Sequence, residues 1–145
     1  MIKTYNPDFK NTILQKLERQ SFINFIGFQI TNIAEGLIEG ELDLEERHLQ
    51  SRGIVHGGVI ATIADTAIGF AATTLVPKDC AVVTAELKVS YLNPGIGTKL
   101  LAKGWVLKQG KNLNFCEAEV FCINKDNVAV LIAKASASMA TVSPE

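Results

Sequence analysis

The longest apolar segment of the chain, Ile54 to Val76, sets the strongest limit on its fold. From Gly57 onward its apolar residues fall on every side of a helix, and a helix without a polar face must be enclosed. Asp65 lies at the middle of the segment. A central Asp costs about 2.5–3.5 kcal/mol on membrane-insertion scales, which Ala, Gly and Thr recover only in small part. The segment from Gly57 to about Val76 is therefore predicted to be a buried core helix and not a membrane span.

Periodic patterns on either side of this helix predict the elements that cover it. Asn6 and Pro7 are typical of a helix start, and the apolar stripe after them predicts a short amphipathic helix over residues 8–20. Alternation and turn residues predict six strands: 28–34, 37–44, 81–92, 98–108, and two more bounded by hairpin turns at Gln109–Asn112 and Asn124–Asn127. Such a sheet covers an all-apolar helix only by curling around it. We therefore predict an α+β fold in which an antiparallel sheet wraps one long central helix.

The strand predicted over residues 81–92 has the clearest alternation. One side of the pattern carries Ala81, Val83, Ala85, Leu87, Val89 and Tyr91. The other side carries Val82 and the polar residues Thr84, Glu86, Lys88 and Ser90. Thr84 is thereby predicted on the polar face of the strand.

Composition narrows the class of protein. A net charge of −1 without a basic run does not fit a nucleic-acid surface. Two histidines are too few for a His-based metal cluster, and Cys80, Cys116 and Cys122 form no CxxC pair, which is typical of reduced thiols in a cytoplasmic protein. The N-terminus has no apolar signal region. A length of 145 residues fits one domain, 1–145, with residues 1–27 as an N-terminal helical segment.

The start of the apolar segment and its single acid together suggest acyl chemistry. His56 is followed by the glycine pair Gly57 and Gly58. Backbone N–H groups at a helix start have no intrahelical acceptor, so they can hold a developing oxyanion. Asp65 is costly on an otherwise apolar helix unless it is paired or used.

Gly57 and Asp65 lie too far apart to act on one carbonyl within one chain. Eight residues separate them, which is about 12 Å along a helix, whereas a nucleophile attacks from about 3–3.5 Å. Two antiparallel copies of the helix would bring Gly57 of one chain beside Asp65 of the other, and would do so twice. If both residues are catalytic, the protein is at least a twofold dimer with two shared sites.

The segment from Gly53 to Asp65 resembles the HGG signature of the hotdog-fold acyl-CoA thioesterases, in their phenylacetate-pathway and THEM-like branch. The similarity continues through Thr84–Pro94 and Val106–Asn112 and covers nearly all of residues 28–140. The resemblance implies an acyl-CoA substrate, no metal, no cofactor besides the CoA of the substrate, and no nucleic-acid or membrane partner. It also implies a homodimer with shared active sites, which in the family commonly pairs into a tetramer.

The resemblance assigns roles to four residues at the predicted helix and the strand after it. Asp65 matches the family's acid, which acts on the thioester as general base or nucleophile. The Gly57 amide would polarise the carbonyl, and His56 beside it would help to shape that pocket. Thr84 matches a Ser or Thr that helps to hold the attacking water.

The resemblance also covers Gln50, Gly58, Lys108 and Lys111, of which Gln50 departs from the family. Gln50 falls where the family usually has Asn, so its amide is carried on a side chain that is one methylene longer. The family takes the counterparts of Gln50 and Gly57 from one subunit, and the acid and hydroxyl from the other. Gly58 would contact substrate, and Lys108 and Lys111 resemble positions near the CoA phosphates.

Structural readings of the same residues stay open. Asp65 can be a buried acid paired with a backbone or threonine donor. Gly57 and Gly58 can serve close helix packing, and His56 can be a turn histidine. His48 is better explained as structural than as catalytic, and lysines on a hairpin are commonly just solvated.

Three functions compete on the sequence alone. The leading one is acyl-CoA hydrolysis, with Asp65 either activating water or forming a transient anhydride. A non-catalytic acyl-CoA binding or sensing domain is the alternative, although about 27 residues before the first strand cannot hold an attached effector domain. A hydratase would need a catalytic histidine in a different local pattern. Branched, aromatic and medium straight acyl groups all remain open.

Overall fold

The computed structural model describes residues 1–144, in which an antiparallel sheet lies against one long helix. The helices are α1 (Phe9–Glu18), α2 (Ser21–Ile26) and α3 (Gly57–Thr73). The strands are β1 (Gln29–Ala34), β2 (Leu37–Asp43), β3 (Ala81–Tyr91), β4 (Lys99–Lys108), β5 (Leu113–Ile123) and β6 (Ala129–Val142). Neighbouring strands pair in the order β1-β2-β4-β5-β6-β3. The predicted α+β architecture is confirmed.

The sheet holds α3 because the helix presents apolar side chains to five strands, β2 to β6. Ile63, Ala67 and Ile68 have no exposed surface, and burying an isoleucine side chain is worth about 1.5–3 kcal/mol. β4 touches the backbone of α3 at Gly104, where a Cβ would lie 2.6 Å from the carbonyl carbon of Ala67. Within one chain, the prediction of an enclosed helix therefore holds for most of α3 but fails along one face.

The open face of α3 carries small and polar residues, including Thr62, Asp65, Thr66 and Gly69, all of which are partly exposed. The helix ends at Thr73, three residues before the predicted end at Val76. No helix among residues 1–144 is long and apolar enough to span a membrane.

The helix predicted over residues 8–20 is present as α1, but a second N-terminal helix follows that was not predicted. This second helix, α2, ends at Ile26, and its C-cap is Gly27, whose φ of 90° is readily adopted only by glycine. α2 leaves two phenylalanines largely exposed, Phe22 at 59% and Phe25 at 67%. The break matters because Phe22 and Ile23 of α2 line one cavity together with Asp65 of the open face of α3.

A β-bulge in β3 corrects the predicted alternation of that strand. The pairing with β6 shifts register between Thr84 and Glu86, so the side-chain phase changes there. Val82 before the bulge and Leu87 after it both pack against the core, although the alternation puts them on opposite sides, and Val83 is 51% exposed. The predicted placing of Thr84 on the face away from Leu87 is therefore wrong: the bulge turns its hydroxyl toward α3.

Candidate active site

Asp65 and Thr84 form a hydrogen-bonded pair where β3 passes the open face of α3. The Thr84 hydroxyl donates to Asp65 Oδ1 at 2.7 Å. Asp65 is half-buried and makes no ion pair within residues 1–144. Both residues line a cavity of about 360 Å³. The arrangement fixes one carboxylate oxygen and leaves the other available to a water molecule or to a carbonyl carbon.

The first turn of α3 separates the roles of the two glycine amides. His56 is the N-cap, and its Nδ1 accepts a hydrogen bond from Gly58 N–H at 2.8 Å. The Gly57 N–H has no hydrogen-bond acceptor within the described residues 1–144. It therefore remains a donor at the positive end of a 17-residue helix. His56 acts as a cap that leaves Gly57, and not Gly58, with a free N–H.

Gln50 and Tyr91 surround this helix start. With Gly57 they line a second cavity of about 380 Å³. Tyr91 donates its hydroxyl to Gly57 O at 2.8 Å, and Gln50 Oε1 accepts from Arg52 N–H at 2.8 Å, so the Gln50 Nε2 group remains a donor. Sequence reasoning missed Tyr91, because its place on the β3 alternation gave no sign that it reaches the helix start.

His48 holds the loop that carries Gln50. Its ring is 1% exposed; Nδ1 accepts from Glu45 N–H at 3.0 Å, and Nε2 lies 2.7 Å from the Ile26 carbonyl oxygen. Both ring nitrogens are thus engaged with backbone groups, as expected for a structural histidine. The imidazole ties the loop to the end of α2.

One chain therefore keeps its predicted catalytic residues in two places. Asp65 and Thr84 share one cavity, whereas Gln50 and Gly57 share another. The chain from Gly57 to Asp65 is continuous helix, and a separation of eight positions keeps the two residues about 12 Å apart. Each place holds half of the predicted set, either an acid with its hydroxyl partner or a free backbone amide with a side-chain amide.

The segment that carries these residues also matches a known protein family. The model of the thioesterase superfamily matches residues 52–129, more than half of the chain. The chain belongs to the thioesterase superfamily. The matched range includes Gly57, Asp65, Thr84 and Tyr91.

Known thioesterases resemble this one in sequence and in fold. Human acyl-coenzyme A thioesterase 13 is 29% identical over 92 residues, which are 63% of this chain and 65% of the human protein. A thioesterase family protein from Silicibacter pomeroyi superposes with a TM-score of 0.91 at 26% identity, covering 94% of this chain and 99% of that one. The Escherichia coli PaaI protein from the phenylacetic acid degradation operon shares the fold, with a TM-score of 0.82 at 20% identity and 94% of both chains covered. The predicted family, hotdog fold and thioester hydrolase class are confirmed.

Lys108 and Lys111 lie outside both half-sites of this thioesterase. Lys111 lines a third cavity of about 700 Å³ between the N-terminal segment and the β4–β5 hairpin. Lys108 is exposed at the end of β4. One chain does not bring either lysine to Asp65 or Gly57, and their contact with CoA phosphates stays a prediction. Among residues 1–144, no three His, Cys, Asp or Glu side chains converge as metal ligands would.

The cysteines of the thioesterase are all unpaired thiols. Burial raises the pKa of Cys116 to about 12 and also raises the pKa of Cys122. Thiols with a raised pKa are poor nucleophiles, so neither residue has the character of an acyl-accepting cysteine. Cys80 is half-buried and lines the third cavity, away from Asp65.

Proposed function

We propose that this thioesterase hydrolyses acyl-CoA to a free acid and CoA in two sites shared by a homodimer. Gly57 and Gln50 of one copy would face Asp65 and Thr84 of the other. The observation that carries the proposal is the division of these four residues between two cavities of one chain. The acyl-CoA substrate is supported by the name of the human relative, acyl-coenzyme A thioesterase 13.

The residues suit a single-displacement or a double-displacement reaction. In the first, Asp65 takes a proton from water, the water oxygen bonds to the carbonyl carbon, and the C–S bond breaks to release CoA thiolate, which takes up a proton. In the second, Asp65 itself attacks, thiolate leaves, and water hydrolyses the resulting anhydride. In both, the Gly57 N–H stabilises the negative carbonyl oxygen, and Thr84 orients the carboxylate through the 2.7 Å hydrogen bond.

Two open surfaces, the outer edge of β3 and the open face of α3, support the dimer. β3 ends the sheet, and among residues 1–144 it pairs only with β6, which leaves the other edge of this eleven-residue strand unpaired. Long unpaired edges are commonly covered in native proteins. Two β3 edges joined antiparallel across a twofold axis would set two α3 helices side by side in opposite directions. We expect a solution mass of two chains, or of four if dimers pair as the resemblance implies, and not the 15.7 kDa of one chain.

Turnover of acyl-CoA is tested directly by following CoA release with a thiol reagent over a panel of straight, branched and aromatic acyl groups. The proposal predicts catalytic release for at least one group. Saturable binding without release for every group would contradict it and would favour the sensing alternative. We also propose that the enzyme is cytoplasmic and needs no metal or cofactor. Activity that survives treatment with a chelator would support its independence from metals.

Gln50 provides a prediction of moderate size. Gln50→Ala removes the Nε2 donor at the second cavity, and we expect kcat/KM to fall about threefold to tenfold, since one neutral hydrogen bond is worth about 0.5–1.5 kcal/mol. Gln50→Asn restores the family's residue and should keep most of the activity. Equal losses in both variants would contradict the donor role. They would show that activity depends on the loop geometry, which the hydrogen bond from Arg52 N–H to Gln50 Oε1 holds.

A further inference from the structure

The third cavity, of about 700 Å³, lies apart from both half-sites. Its walls come from the N-terminal segment, the loop after α3, the β4–β5 hairpin and the end of β6. Among residues 1–144, none that belongs to α3 or β3 lines it, so it is not part of the surfaces through which the proposed dimer forms. Its volume falls in the range of small-molecule sites, roughly 300–1,000 Å³.

Two polar side chains at the buried end of this cavity have no partner. Asn114 lies two residues before Cys116 in β5, and Thr141 lies two residues after Met139 in β6, so both take core-facing positions of the sheet. Asn114 is 2% exposed. Asn114 Oδ1 and Thr141 Oγ1 are buried and have no hydrogen-bond partner within residues 1–144, and both residues line the cavity. Buried side-chain oxygens are nearly always hydrogen-bonded, so these two atoms indicate a polar group of an occupant.

The loop after α3 gives the cavity an apolar wall. Leu75, Val76 and Pro77 all line it, because α3 ends at Thr73 and does not cover this part of the sheet. Tyr5 N–H donates to Leu75 O at 3.0 Å, which holds the N-terminal segment against the loop. An occupant that packs on this wall needs an apolar body.

Two lysines make the cavity positively charged. Lys3 and Lys111 line it, and no acidic side chain of residues 1–144 does. Neither lysine forms an ion pair within that part of the chain. Gln109 fixes the backbone of Lys3, since its Oε1 accepts from Lys3 N–H and its Nε2 donates to Lys3 O, both at 2.8 Å. Because both lysines are exposed, they suit an anionic group at the mouth of the cavity.

We propose that this cavity binds a small hydroxylated carboxylate, in a site separate from the two half-sites. The carboxylate pairs with Lys3 and Lys111, and the aliphatic body packs on the wall formed by the loop after α3. The hydroxyl donates to Asn114 Oδ1 and accepts from the Thr141 hydroxyl. The inference goes beyond the proposed function and does not rest on it, because none of the four catalytic residues takes part. It competes with the predicted contact of Lys111 with CoA phosphates.

Calorimetric titration of the wild-type protein with a series of ω-hydroxy acids of about four to eight carbons tests the binding. We expect at least one of them to bind with a Kd below about 1 mM. The unsubstituted acid of the same length lacks the hydroxyl and the matching diol lacks the carboxylate, so each should bind about fivefold more weakly or worse. Failure of every hydroxy acid to bind, or equal binding of the matched acid or diol, would overturn the proposal.

Free CoA distinguishes a separate site from the CoA site. The titration is repeated with CoA present in excess. An unchanged Kd for the hydroxy acid would support a separate site. Displacement by CoA would assign the lysines to the CoA phosphates and would overturn the proposal.

Thr141→Val locates the hydroxyl end of the ligand. Valine has nearly the shape of threonine, and the backbone hydrogen bond from Thr141 N–H to Asn112 O at 2.8 Å is kept. We expect the Kd of the hydroxy acid to rise about threefold to tenfold, while that of the unsubstituted acid stays the same. The melting temperature should not fall, because the deleted hydroxyl has no partner within residues 1–144.

Lys111→Met tests the anionic end, with Lys125→Met as its matched control. Lys125 is also an exposed hairpin lysine, but it lies on the β5–β6 hairpin and does not line this cavity. We expect Lys111→Met to raise the Kd about tenfold, since a hydrogen bond to a charged group is worth more than a neutral one, and Lys125→Met to leave it unchanged. Wild-type affinity in both Thr141→Val and Lys111→Met would place the ligand elsewhere and would overturn the proposal.

Discussion

Asp65→Asn should lower kcat/KM for acyl-CoA by about a thousandfold. General base catalysis contributes about 10²–10⁴ in rate, and an amide can neither accept a proton from water nor attack the carbonyl as a carboxylate does. The substitution is nearly isosteric, and the amide oxygen still accepts the hydrogen bond that Thr84 makes to Oδ1 at 2.7 Å. The fold and the cavity should therefore remain.

The matched control for this experiment is Glu86→Gln. Glu86 lies two residues after Thr84 in β3 and is exposed, so the same loss of charge there should change kcat/KM by less than twofold. Steady-state CoA release with a thiol reagent measures both variants, and their melting temperatures report on folding. Residual activity of Asp65→Asn above a tenth of wild type would remove Asp65 from the chemistry.

Gly57→Pro should lower kcat by about a hundredfold or more while preserving the fold. Removing one oxyanion donor costs about 10²–10³ in kcat. Proline is well tolerated at the first position of a helix, because its missing N–H has no intrahelical partner there. His56, with φ −61° and ψ 132°, already has the extended conformation that a residue before proline requires. The change therefore deletes the N–H group at little cost to the helix, and the side-chain atoms that it adds are controlled for separately.

Gly57→Ala distinguishes the effect of losing the N–H group from the effect of adding side-chain atoms at position 57. A Cβ at position 57 would lie 3.3 Å from the Tyr91 ring in either variant, but alanine keeps the N–H. We expect Gly57→Ala to retain most of the kcat that Gly57→Pro loses. Equal losses in the two variants would assign the effect to Tyr91 packing and would contradict the oxyanion role.

Much of the fold could be predicted because its main signals are local. The all-apolar run after Gly57 fixes a central helix, and period-two alternation with polar turns predicts the strands around it. The second N-terminal helix, α2, escaped prediction, because its six residues are too few to show a helical period. The bulge between Thr84 and Glu86 escaped it as well, because the residues around Ala85 carry no local signal for an extra residue in the ladder.

The candidate site was predictable where the distance between two residues follows from helix geometry alone. The spacing of Gly57 and Asp65 on one helix is enough to divide them between two half-sites. The contact from Thr84 to Asp65 and the contact of the Tyr91 hydroxyl with Gly57 depend on which strand packs beside α3. Such long-range neighbours leave no periodicity in a single sequence.

Mixed dimers test the shared site most directly. Chains carrying Asp65→Asn and chains carrying Gly57→Pro are coexpressed with two different affinity tags, and the dimers that hold one of each are isolated by sequential purification. Such a dimer keeps one pair of intact Asp65 and Gly57, contributed by opposite chains. The account predicts about half of the wild-type kcat per dimer, although each variant alone is nearly inactive. Verified mixed dimers that stay as inactive as their parents would contradict it.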